Sequence, residues 1–414
     1  NNAVLFDKRK FIKEKFMYPK TSFFIYCFLI IGLFASCQPK DTFSWNAGFS
    51  APKYYGATGP FVEYFYQGQS IAGASSGVGI NPGWGITSGG YVGGDKYKPV
   101  PDSIAVKWIC GVDRYSYEGG SKLPRNKMLE LFKTKAIDSY GNQQEYSLIV
   151  AGMAPGGNVT IWMQGGTDST EICKFKTENK GVWKENDAEY NKYITEHRTI
   201  SEAFKESNLF WKIHGIPYSV WEKGEKEYDY DIVFCNEDEL IKYDRRITGY
   251  TKDGSVISSN SDKTSFATLE WNKKFNARDI NKKYKNKIPV HFFVQRSSKN
   301  NKQWCDAEII LPNNFEELFS KPYINLKTGN AEHYNRIIIG IEKENKKTPY
   351  LFGRIWVSGI NKQDEIMRFR IAKFDTVSRK FLVSKYSLPK DFVFPKWEGR
   401  EPIEFQELDY WQEK

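Results

Sequence analysis

Tyr146-Ser-Leu-Ile-Val-Ala-Gly152, Met153-Ala-Pro-Gly-Gly-Asn158 and Val159-Thr-Ile-Trp-Met-Gln-Gly165 form the stretch that decides the fold, because the chain carries it twice. Two runs rich in apolar and β-branched residues flank a Pro-Gly-Gly-Asn turn, which predicts a β-hairpin. The echo reads Tyr334-Asn-Arg-Ile-Ile-Ile-Gly340, a charged loop, then Phe352-Gly-Arg-Ile-Trp-Val-Ser-Gly359. Gly141-Asn142, Tyr146 and Gly152 recur 188 residues on, and Ile161-Trp162 and Gly165 recur 194 on. The loop is therefore six residues longer in the second copy. Leu123-Pro124 and Leu311-Pro312 extend the match upstream, and Phe175 and Phe369 extend it downstream. An ordered series with loop-sized offsets is the mark of a duplicated unit.

Around each hairpin the same elements follow from local pattern. Ile104, Val106 and Trp108 alternate to one face of a strand, and Val290, Phe292 and Val294 do so in the second copy. Pro124 and Pro312 each open a short helix. The apolar stripes are Met128, Leu131 and Phe132 in one and Phe315, Leu318 and Phe319 in the other. A further strand puts Cys173 and Phe175 opposite Lys174 and Lys176, and its twin sets Met367, Phe369 and Ile371 against Arg368 and Arg370. The fold class is strand-dominated α+β, two tandem copies of an antiparallel-sheet unit each with one short helix. The copies span residues 37–222 and 223–414. Asn186 to Asn208 reads as a polar, weakly helical link, and the tail with Trp397 and Trp411 is expected to pack back.

The N-terminal region carries an address. Residues 1–16 read as translated sequence upstream of the true start. From Met17 a short basic segment leads into Phe23–Ala35, thirteen residues, nearly all apolar, and then Ala35-Ser36-Cys37. A run that short suits an export signal better than a membrane span, which needs ~20 residues. Small residues before a cysteine form a lipobox, although Phe34 stands where leucine is usual. Residues 17–36 are thus expected to be a lipoprotein signal peptide, with Cys37 lipidated and the protein on the periplasmic face of the outer membrane. An ordinary signal peptide cut near Cys37 is the plainer alternative. In that oxidising compartment Cys110, Cys173, Cys235 and Cys305 could form two disulfides or remain buried thiols.

Composition narrows function mainly by exclusion. Hydrophobic residues at 40% and aromatic residues at 16% place the chain among globular proteins. The net charge of +10 has +4 in residues 1–36, and the rest is spread thinly, so nucleic acid is not suggested. Gly73-Ala-Ser75-Ser-Gly77 matches a serine-nucleophile pattern, but glycines, Asn81 and Pro82 follow where the motif needs a helix. Among His197, His214, His291 and His333 no metal-ligand spacing occurs, and no motif calls for a metal or cofactor. Asp102, Asp113 and Glu118 are candidate clustered carboxylates or solvated loop residues. Ten glycines lie between Gly68 and Gly94, with Trp84 and Tyr91 among them as candidate partner-binding aromatics or loop anchors. The chain reads as a binding protein and not an enzyme, its envelope anchor a membrane partner and a protein toxin a candidate partner.

Taken in order, Trp45 with Ala51-Pro52, Gly83-Trp84-Gly85, Pro101-Asp102 with Trp108, Met128 with Phe132, and Gly152-Met-Ala-Pro-Gly-Gly157 with Trp162 resemble the bacterial lipoproteins catalogued as domain of unknown function 2931. The resemblance is clearest over residues 45–165. It implies an envelope lipoprotein with no established catalytic residues. It also implies a candidate role as an immunity protein against a secreted lipase-type toxin. A glycan- or lipid-binding module around Trp84 and Tyr91 is the alternative, and a hydrolase using Ser75 is a third. The second copy lacks the Ala-Pro-Gly-Gly turn, so any role of that turn belongs to the first copy.

Overall fold

The computed structural model describes residues 41–137, 142–166, 168–183, 202–236, 243–259, 285–298, 304–343, 345, 347–397 and 408–413. Cys37 and the signal segment lie outside the described residues. The first copy contains β1 (Asn46–Ser50), β2 (Ala57–Tyr66), β3 (Gln69–Ser75), β4 (Tyr91–Gly94), β5 (Ser103–Cys110) and β6 (Tyr115–Lys122). Then come α1 (Arg125–Lys133), β7 (Leu148–Ala154), β8 (Asn158–Gly165), β9 (Asp168–Lys176) and β10 (Glu178–Val182). One sheet has the order β9-β8-β7-β1, and the other runs β10-β6-β5-β2-β3-β4. The predicted hairpin is β7–β8, in register from Leu148 opposite Gln164 to Ala154 opposite Asn158. The pairing of β1 with β7 is parallel, the exception in an antiparallel scheme. Buried Tyr64 ties the sheets together, its hydroxyl donating to the Ile149 carbonyl at 3.1 Å and its ring meeting Trp45 edge-on at 5.5 Å.

Two linking helices follow, α2 (Glu202–His214) and α3 (Tyr218–Lys223). The second copy then repeats the scheme with β11 (Asp231–Asn236), β12 (Tyr243–Thr251), β13 (Val256–Ser259), β14 (Pro289–Ser298) and β15 (Trp304–Ile310). It closes with α4 (Phe315–Ser320), β16 (Arg336–Ile341), β17 (Tyr350–Ser358) and β18 (Gln363–Asp375). The duplication holds pair by pair. Ser50 lies opposite Gly152 in the first parallel pair, and Cys235 lies opposite Gly340 in the second. Both hairpins bulge at the same place in the following strand, between Ile161 and Trp162 and between Ile355 and Trp356. Even a cross-strand hydrogen bond recurs with a different donor. Lys98 Nζ donates to the Trp45 carbonyl at 2.5 Å, and Asn286 Nδ2 donates to the Tyr230 carbonyl at 2.9 Å.

The two copies differ where the Ala-Pro-Gly-Gly turn differs. Gly156 and Gly157 have φ of 75° and 78°, a conformation glycine adopts without strain. The Gly157 carbonyl accepts from the Thr177 amide and hydroxyl, both at 2.9 Å. That clamp breaks the last strand into β9 and β10, and β10 crosses to the other sheet, with Glu178 opposite Glu118. Without the turn, β18 runs unbroken for 13 residues and joins both sheets, pairing first with β17 and then with β15.

Burial follows the sequence pattern closely. Ile104, Val106, Trp108, Phe292 and Val294 are all in the cores. On α1 Met128 is fully buried, and Phe132 stacks on Phe43 at 4.7 Å. The short α4 buries Phe315 and Phe319 but leaves Leu318 39% exposed, so only two of its three predicted stripe residues reach the core. The tail does pack back: Trp411 donates its amide to the Tyr386 carbonyl and its ring lies 5.8 Å from that of Phe352. Cys110, Cys173 and Cys305 are thiols, which rules out the two-disulfide reading; the Cys235 side chain lies outside the described residues. Among the described residues no helix is long and apolar enough to cross a membrane.

Candidate functional site

Two regions bring chemistry together, one on the open surface of the first copy and one at the joint between copies. The first is a trough of about 640 Å³ on the outward face of β2, β3 and β4. Residues opposite each other in neighbouring strands share a face. One such row runs Glu118, Lys107, Phe61 and Ser75, and the next runs Gly120, Ala105, Glu63, Gly73 and Gly93. From the second row Glu63, Gly73 and Gly93 line the trough floor. Phe61 on the rim is 42% exposed and Tyr97 is 64% exposed. Glu63 is the charged group on the floor, and its Oε1 accepts from the Ser70 hydroxyl at 2.6 Å.

The joint is built by the linking helices. Tyr54, at φ 67°, turns its ring onto Phe210 of α2 at 4.3 Å, and its carbonyl accepts from Trp211 Nε1 at 2.6 Å. Phe210 in turn stacks on His291 of β14. From there a buried chain runs inward: His214 Nε2 to His291 Nδ1 at 3.1 Å, then His291 Nε2 to Glu308 Oε2 at 2.6 Å. Lys385 approaches the other Glu308 oxygen at 3.6 Å. Burial, helped by His291, holds the His214 imidazole well below its ordinary pKa, so it stays neutral. Both ring nitrogens of His291 are thus engaged by other side chains. Among the described residues no cluster of His, Cys, Asp and Glu could hold a metal.

A second contact locks the copies. The Gly254 carbonyl accepts from the Lys53 amide at 2.9 Å and the Trp84 amide at 3.0 Å. A Cβ on Gly254 would stand 2.5 Å from Pro52, so only glycine fits there. Nearby, Trp221 Nε1 donates to the Asp253 carbonyl at 2.9 Å. Burial would raise the Asp253 carboxyl, but the Lys287 ammonium and hydrogen bonds from Thr251 and Ser255 outweigh it and hold the group below the usual range. Burial and the Asp253 charge push Glu225 beside it up to about 8.

The predicted site residues scatter against this map. Trp84 is 8% exposed and meets Trp162 edge-on at 4.9 Å, with its backbone hydrogen-bonded to the second copy. It is thus a buried anchor, the second of the two readings that the sequence left open for it. Tyr91 opens edge strand β4 opposite Ser75. Ser75 ends β3 on the trough wall, and no histidine lines that trough. The three candidate carboxylates are not a cluster. Asp102 Oδ2 accepts from the Gln67 amide at 2.7 Å, and Glu118 pairs with Lys107 at 3.8 Å. Asp113 instead supports the turn, accepting from the Gly156 amide at 3.0 Å and the Tyr117 hydroxyl at 2.7 Å. The paired basic faces are partly neutralised in place: Arg368 grips Glu342 with two bonds of 2.8 Å, and Lys174 meets Glu171 at 3.1 Å. Burial pushes the Cys173 thiol up to about 11 and raises the Cys110 thiol well above its ordinary value, the opposite of what a nucleophile needs.

The sequence reading missed the His214–His291–Glu308 chain. Its members lie 77 and 17 residues apart along the sequence, and no motif joins them. The only available signal was His291 on the strand face opposite Phe292, where a lone histidine is unremarkable.

Residues 35–219 match the family described as a protein of unknown function, DUF2931. The matched span takes in the first copy and α2, and ends in α3. No curated protein matches the chain.

Proposed function

We propose that this protein is a cell-envelope lipoprotein that acts by binding a protein partner, in the manner of an immunity protein that occludes a secreted lipase-type toxin. It is tethered by acyl chains on Cys37 at the periplasmic face of the outer membrane. The observation that carries the reading is the open, aromatic-rimmed trough on the first copy. Exposed Phe61 and Tyr97 there are side chains that a partner would desolvate with gain. The export segment ending at Cys37 supports the address, since two or more acyl chains suffice as an anchor. A glycan- or lipid-binding module working through Trp84 and Tyr91 is less favoured, because the Trp84 indole is buried against Trp162.

One preparation tests both halves of the proposal. The full-length protein is expressed in its envelope with labelled palmitate, beside Cys37→Ala, and solubilised in mild detergent. Label on the wild type and none on the variant is expected, together with a stoichiometric protein partner retained on the column. An unlabelled wild type defeats the anchor. Retention of cell-wall glycan or lipid with no protein defeats the partner.

A further inference from the structure

Asp41 sits against α1. Its carboxylate lies 3.7 Å from Arg125 Nη2 and 3.7 Å from Lys133 Nζ, and Phe43 stacks on Phe132 of the same helix. Asp41 follows Cys37 by four residues, a span of at most about 14 Å however the chain runs. The headgroup layer of a bilayer takes up roughly 5–8 Å of that reach. With Cys37 acylated, Asp41 therefore stands no more than about 6–9 Å beyond the headgroups, close to one Debye length at physiological salt.

The helix beside Asp41 is basic. Lys122 to Lys135 holds five basic residues and one acid, Glu130, a net charge of +4. Lys122, Lys127, Lys133 and Lys135 are exposed. Asp41 and Asp102 both face Arg125, and counting them leaves +2. Lys40, between Cys37 and Asp41, makes it +3. Lys127 donates to the Glu171 and Ile172 carbonyls at 2.8 and 3.2 Å, which engages its hydrogens and leaves its charge. The second copy supplies the comparison. Its counterpart segment, Ile310 to Pro322, holds Glu316, Glu317 and Lys321, a net charge of −1. There Glu316 accepts from Lys252 and from the Tyr228 hydroxyl. The same helix in the same unit thus folds without a basic surface, and the copy that Cys37 leads into has one.

We propose that α1 is a membrane-docking element whose exposed lysines rest on the anionic phospholipid headgroups of the bilayer that holds the Cys37 acyl chains. The inference rests on the lipid anchor proposed above and adds which face meets the membrane. Acyl chains hold the bilayer close but leave the molecule free to turn. Basic side chains within about a Debye length of an anionic surface select one side. Strand pairing then places the trough. Thr42 to Ser44 pairs with Tyr97 to Pro99, and Tyr97, Lys98 and Pro99 line the trough. A partner seated there is met beside the bilayer, where an enzyme that acts on lipid works.

The test places a photo-crosslinking benzoylphenylalanine at Glu130, exposed on α1, in the full-length protein in producing cells fed labelled palmitate. A second sample carries it at Glu317, the exposed counterpart on α4. Lipid adducts are expected at Glu130, with at least about tenfold fewer at Glu317. After purification and reconstitution, phosphatidylcholine vesicles containing phosphatidylglycerol should restore the Glu130 yield, and phosphatidylcholine alone should not. Lys133→Gln together with Lys135→Gln should lower that yield at least about fivefold at an unchanged thermal midpoint. Palmitate-labelled protein with equal yields at both positions, equal yields in both lipids or full yield in the lysine variant overturns the docking and leaves the anchor standing. So does a protein adduct at Glu130 in place of lipid. Unlabelled protein removes the anchor and the docking with it.

Discussion

Trp84→Ala separates a packing role from a binding role by a wide margin. If Trp84 were a solvent-facing ligand contact, its removal would move stability by no more than about 0.5 kcal/mol. In the structure it is 8% exposed, sits edge-on to Trp162, and its ring closes over Gly152. A buried tryptophan covers about 150–250 Å², worth roughly 4–6 kcal/mol at 25 cal/mol per Å². Alanine keeps part of that area and the joint relaxes, which brings the expected loss to about 3–5 kcal/mol. The Gly254 carbonyl still receives the residue-84 amide in the variant, so the change isolates the side chain. Guanidinium unfolding of the full chain, followed by far-ultraviolet dichroism, should show a markedly lower midpoint. The near-ultraviolet signal of the Trp84–Trp162 pair should disappear with it. Gly152→Ala is the complementary change, because a Cβ there would lie 2.4 Å from Trp162 and 2.8 Å from Trp84. It should cost about 1–3 kcal/mol by overpacking. A Trp84→Ala midpoint within error of wild type would refute the assignment of this indole to the core.

Two more consequences concern the buried polar groups. His214 is neutral because burial depresses its pKa, so below its unfolded-state value near 6.5 the unfolded chain takes up a proton that the folded chain refuses. Its contribution to stability is therefore complete above that pH and is lost as pH falls toward the depressed folded value, at up to about 1.4 kcal/mol per pH unit. Urea midpoints from pH 7.5 down to 4.5 should be less steep in His214→Gln than in wild type; equal slopes would exclude His214 as the source. Asp113→Ala strips the Gly156 amide and the Tyr117 hydroxyl of a buried acceptor and should cost about 2–4 kcal/mol. Urea unfolding reads that cost, and Asp113→Asn, which keeps one acceptor, should recover part of it.

The repeated hairpin, the alternating strands and α1 were legible in the sequence because each is written in local periodicity. The offsets of 188 and 194 mark strands whose pairing repeats residue for residue, bulge included. Trp84 and the histidines were illegible for a different reason. Their surroundings come from the other copy or from the linking helices, and no spacing along the chain encodes which surface meets which. Gly83-Trp84-Gly85 looks like a flexible loop with an exposed ring until Gly254 arrives from 170 residues away. The clustered-carboxylate reading failed likewise, since Asp113 supports a turn 43 residues later.

The two copies show how one sheet serves two ends. A duplicated unit begins with two identical outward faces, and a stable monomer must cover an apolar face or make it polar. The second copy covers it, with α2 and the strand segment Tyr386–Ser387 lying against β15. Its covered face accordingly carries groups that need partners, His291 and Glu308. The first copy has neither cover. It has Ser103 and Gly120 at those positions, small residues that need no buried partner. One sheet scaffold thus carries a covered polar pair in one copy and a small-residue face in the other.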